Sequence, residues 1–118
     1  STMGKAVSVL LMKEEAGINV SDFIAAGQTP LQIMKSALKD SSVLELKECT
    51  MDDLLYFIDQ GTPVLARTGA NQAVLLTGYS ASYVTYYDPA TKQSHSISYD
   101  TIAGMLEKGG NYFIAYVK

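Results

Sequence analysis

Apolar positions change their period about halfway along the chain. From Val7 to Ile58 most of them recur three or four residues apart, and from Pro63 to Val117 they run on continuously or alternate. The first half therefore predicts helices and the second half strands. Val7, Leu10 and Leu11 share one helical face, and Gly17 is placed to stop that helix. Ser21 is a candidate N-cap for a short helix through Ala26. Thr29-Pro30 supplies a cap followed by proline at the first helical position. Val43 to Lys47 alternates roughly, as an edge or half-buried strand does. Thr50 caps a further helix that carries Met51, Leu54, Leu55 and Ile58 and ends at Gly61.

Pro63 to Arg67 reads as a strand. Ala73 to Leu76 is continuously apolar, as a central strand buried on both faces must be. Tyr83 to Tyr87 pairs with it across Ser80-Ala81-Ser82, and Asp88 to Lys92 makes a turn. Ser94 to Ser98 alternates. Asp100 is a candidate cap for a last helix carrying Ile102, Met105 and Leu106, which Gly109-Gly110 ends. Tyr112 to Val117 is the final strand. Helices followed by strands predict an α+β fold in which helices pack on a mainly antiparallel sheet.

A chain of 118 residues, 47% of them apolar, suits one domain with a substantial core. The net charge of −3 is mixed along the chain and forms no basic patch, so nucleic acid is not an expected partner. No apolar run reaches the roughly 20 residues that a bilayer-spanning helix needs, and direct membrane insertion is not expected. One cysteine, Cys49, and one histidine, His95, give neither an internal disulfide nor metal-ligand spacing, and no metal or cofactor is expected. The span from Thr68 to Gly78 has one loop without phosphate-cradling spacing.

Three segments carry a resemblance to a known family: Gly61-Thr62-Pro63-Val64-Leu65-Ala66, Asn71 to Tyr79, and Tyr87-Asp88-Pro89-Ala90. Together they resemble the bacteriocin-processing, double-glycine cysteine peptidases of the papain-like superfamily. Met3-Gly4 followed by Ala6 to Leu11 is similar, more weakly, to the Cys-Gly start of that family's nucleophile helix. The resemblance covers most of the chain. It implies a papain-like fold over 1–118, as one domain of a larger bacterial protein and compatible with a surface or secreted one. It puts Met3 in the nucleophile's place, Gln72 in that of the base and Asp88 in that of the orienting acid. A thioether has no proton to lose, and an amide takes up none near neutral pH. Only Asp88 is retained.

The implied reading is a catalytically degenerate domain that binds peptide or regulates a partner. Its groove would lie near Met3, Gln72, Asp88 and Tyr79, with Met3 and Gln72 facing each other and Asp88 behind Gln72. One alternative is an active peptidase with a relocated nucleophile at Cys49, whose pKa a helix N-terminus would lower, paired with His95. Another is a purely structural module of a larger surface protein. The bland readings are Cys49 in packing against Leu54, His95 on a solvated strand, Asp88 capping its own turn, and the tyrosines in cross-strand pairs.

Overall fold

The computed structural model describes Thr2–Lys118. Five helices and six strands follow in the order α1 (Thr2–Lys13), α2 (Val20–Ala25), α3 (Pro30–Ala37), β1 (Ser42–Lys47), α4 (Met51–Asp59), β2 (Val64–Gly69), β3 (Gln72–Tyr79), β4 (Tyr83–Asp88), β5 (Gln93–Ser98), α5 (Tyr99–Lys108) and β6 (Tyr112–Val117). The strands form one sheet in the order β1-β6-β2-β3-β4-β5, antiparallel at every pairing. The α+β expectation holds.

Strand alternation divides the core into two layers. Ala73, Leu75, Leu65, Ile114 and Tyr116 face α1, α2 and α3, whose Val7, Leu10, Leu11, Ile33 and Met34 complete one cluster. Val74, Leu76, Val64, Ala66, Phe113 and Ala115 face α4 and α5, where Leu54, Phe57, Ile102 and Leu106 complete the other. The continuous apolar run of β3 is thus covered on both faces.

Local signals set most of the boundaries. Thr29 and Thr50 both form full capping boxes, with Gln32 and Asp53 answering from the third helical position. Three expected signals lie elsewhere. The first helix ends where Glu15 turns left-handed (φ 57°), before Gly17 is reached. Asn19, not Ser21, holds the N-cap position of α2, with no side-chain capping bond. Ser98 caps α5 by accepting from the Thr101 N–H, and Asp100 lies inside the first turn. In the two capping cases a residue of similar chemistry two positions away competes for the same role.

The α1 layer is tied to the last strand by a buried polar group. The Tyr116 hydroxyl donates to Glu14 Oε2 at 2.5 Å, and Lys118 Nζ lies 3.1 Å from Glu14 Oε1. Partial burial pushes the Glu14 carboxyl up. The hydrogen bonds from Tyr116 and Lys118, with the charges of Lys118 and Lys13, outweigh burial and leave it below the usual carboxylate value. The folded state then binds fewer protons than the unfolded one in mildly acid solution. The tie's contribution is present above the ordinary pKa of 4.5 and is lost as pH falls through the lowered value. Stability measured by urea unfolding should fall below about pH 4.5, and Glu14→Gln should make that fall shallower. An unchanged acid limb would remove Glu14 from this role.

Another tie joins α5 to β2. Arg67 Nε donates to the Gly109 carbonyl at 2.7 Å, and the backbones approach so closely that a Cβ on Gly109 would sit 1.8 Å from the Arg67 oxygen. Gly109→Ala should therefore cost about 1–3 kcal/mol or more as an overpacking change. Gly17→Ala, whose Cβ meets nothing within 4 Å, should stay within about 0.5 kcal/mol of the parent. Denaturant titration of the two variants checks the contrast.

Candidate functional site

A polar site cannot form in the middle of β3, because both faces are buried there. It can form where the strand emerges. Gln72 opens β3 beside the turn in which Asn71 adopts φ 57°. The N-terminus of α1 abuts the same place. The Met3 N–H donates to the Asn71 carbonyl at 3.1 Å, and the Ala73 N–H donates to Thr2 Oγ1 at 3.2 Å. Asp88 closes β4 next to it. A recess of about 220 Å³ is lined by Thr2, Gln72 and Asp88 together with Thr68, Tyr86 and Met105.

Two of the three degenerate positions therefore share one recess, and the third does not. The Met3 side chain is buried at 8% exposure in the α1 cluster with Ala73 and Leu75. Alternation places Gln72 with Val74 and Leu76, on the opposite face. Its amide lies over Gly69, where an added Cβ would come within 2.6 Å of Gln72 Oε1. The expected meeting of Met3 and Gln72 is replaced by one of Thr2, Gln72 and Asp88. Thr2 stands one residue before the Met3-Gly4 pair that carries the resemblance, and it is the residue of the two that lines the recess. Asp88 Oδ1 accepts from the Ala90 N–H at 2.9 Å, which makes it the organiser of its own turn.

The remaining candidates are dispersed. Tyr79 stands at the opposite end of β3, about 24 Å from Gln72 at strand rise. Its hydroxyl donates to the Asp59 carboxylate at 2.8 and 2.9 Å, which holds its pKa above the ordinary value. Cys49 follows β1 at one edge of the sheet, and His95 lies on β5 at the other. Five inter-strand steps, about 24 Å, separate those edges, so the Cys49–His95 pair does not form. Cys49 packs against the cluster that contains Leu54. Burial and the Asp53 charge push its thiol above the ordinary value, against the expected lowering by the helix N-terminus. The His95 ring leans on Tyr86 with centroids 5.3 Å apart. Among the described residues no His/Cys/Asp/Glu group has the arrangement of a metal site.

No family model matches the chain, and no curated protein matches it. Among solved structures, it is similar to the crystal structure of a "putative C39-like peptidase" from Bacillus anthracis, with a TM-score of 0.75 and 17% identity. The match covers 100% of this chain and 90% of that one. At this identity the likeness shows the fold alone, the α+β fold of that C39-like peptidase structure.

The recess makes a direct prediction. In a Cys49→Ser background, Thr2→Cys with Gln72→His would place a thiol at a helix N-terminus beside an imidazole and the Asp88 carboxylate. Its alkylation by iodoacetamide at pH 7 should exceed that of Thr2→Cys alone at least tenfold. Met3→Cys with Gln72→His should gain nothing. The reverse ranking would restore the Met3 register.

Proposed function

We propose that this chain is a non-catalytic, papain-like domain that binds peptide or protein segments. The observation that carries this reading is the separation of its only thiol from its only imidazole across the whole sheet. Cysteine catalysis requires a thiolate and a base within about 3 Å of one another. The recess at the start of β3 offers a hydroxyl, an amide and a carboxylate instead. The amide cannot serve as a base, and the carboxylate is engaged with its own turn.

The binding part of the reading rests on the surface beside that recess. The flank of α1 and α2 against the end of β4 leaves an open concavity of about 560 Å³, lined mainly by apolar atoms. A second of about 360 Å³ adjoins it, with Val9 and Tyr87 in both linings. The solved C39-like relative has the fold of a peptidase, an enzyme class that holds an extended chain before cutting it. The present chain would keep the holding and lose the cutting.

Thiol chemistry tests the non-catalytic half. Cys49 should react with iodoacetamide at pH 7.5 no faster than a small free thiol, at a rate unchanged by His95→Ala. Rapid stoichiometric labelling that His95→Ala abolishes would overturn the proposal in favour of an active peptidase.

A further inference from the structure

Resting on the binding-domain reading, we infer that the groove along α1 is selective for an extended acidic–apolar peptide segment, with Lys5 and Lys92 as its carboxylate clamp. The charge distribution carries the inference. The chain has 12 acidic and 9 basic residues. Three of those basic residues, Lys5, Lys92 and Lys13, line the two adjoining recesses, and none of the acidic ones does. A domain of net negative charge thus presents an all-cationic rim around an apolar floor. Acidic partners are repelled by most of the surface and attracted here.

The lysines at the two ends differ. Lys13 Nζ already donates to the Gly61 carbonyl at 3.2 Å and lies 3.5 Å from Glu14. No ion pair engages Lys5 or Lys92 among the described residues. They bracket the larger recess, whose floor is Val9, Val20, Ile24 and Tyr87. Ile24 is 41% exposed there, so part of that apolar lining is open to solvent.

Spacing specifies the form of the occupant. Lys5, Val9 and Lys13 stand four residues apart on one helical stripe, about 6 Å per step. Side chains on one face of an extended chain repeat every second residue, about 6.7 Å per step. A segment of the form acid-x-apolar-x-acid therefore stays in register with Lys5, Val9 and Lys13. Lys92, which lines the same recess from the β4–β5 turn, is the second cation offered to the segment's first carboxylate. The turn that carries Lys92 is held by the Lys92 N–H donating to the Asp88 carbonyl at 2.8 Å, with Lys92 itself left-handed (φ 60°). Glycine is conformationally suited to that backbone, so Lys92 can be truncated without disturbing the turn.

The test uses pentapeptides labelled with fluorescein at the N-terminus and amidated at the C-terminus, and the whole chain. Glu-Ser-Leu-Ser-Glu should bind at least tenfold more tightly than Lys-Ser-Leu-Ser-Lys or Glu-Ser-Ser-Ser-Glu in fluorescence polarisation, with affinity falling as salt rises. Lys5→Glu/Lys92→Glu should abolish that preference. Lys92→Gly should weaken binding at least threefold with an unchanged circular dichroism spectrum. Lys108→Glu, away from the groove, should change nothing. Equal binding of the three peptides, or binding unaffected by the lysine changes, overturns the clamp while leaving the binding-domain reading intact. Absence of binding by all three, and by a random peptide library displayed on phage, overturns both.

Discussion

The burial of β3 on both faces is the constraint on which the rest of the structure depends. Ala73 and Leu75 meet α1, while Val74 and Leu76 meet α4 and α5. Each fully buried Val or Leu contributes on the order of 1.5–3 kcal/mol, and no polar side chain there could be solvated. The strand must be apolar throughout its middle, and polar residues can stand only at its ends. Gln72 and Tyr79 do so. The hydrogen bonds of Thr2 and Met3 then fasten α1 to the Gln72 end. Any site that needs a helix terminus, a strand end and a turn together forms there.

This constraint was legible in the sequence because it is written locally. An unbroken Ala-Val-Leu-Leu run predicts a doubly buried strand, and threonines three residues ahead of Gln32 and Asp53 predict capped helices. Such signals involve neighbours a few residues apart. Errors appeared where two residues of like chemistry competed for one position, as with Ser98 and Asp100. Neither propensity nor charge decides that choice. The approach of the Ser98 hydroxyl to the Thr101 N–H does.

The candidate site was legible only in part, for a different reason. Resemblance assigns positions along the chain, whereas a site depends on the direction of side chains. Gln72 and Asp88 share a recess because they belong to the same face of adjacent strands. Met3 stands in the first turn of α1 yet points into the core. Thr2, one residue earlier, lines the recess in its stead. The separation of Cys49 from His95 was equally hidden, since it follows from strand order and not from strand content. The groove draws its lining from α1, α2 and the β4–β5 turn, and no pattern within any one of these marks it.

Asp88 links the two surfaces. Its carboxylate accepts from the Ala90 N–H and its carbonyl from the Lys92 N–H, so one residue shapes the turn through side chain and backbone. On one side that turn closes the recess of Thr2 and Gln72; on the other it delivers Pro89 and Lys92 to the groove. The sequence resemblance implies an imidazole for an acid at this position to orient. Without an imidazole, the geometry that requires an aspartate persists, because the turn still depends on it. A turn-organising role therefore accounts for an acid at this position without any catalytic role, and the same turn brings Lys92 to the groove.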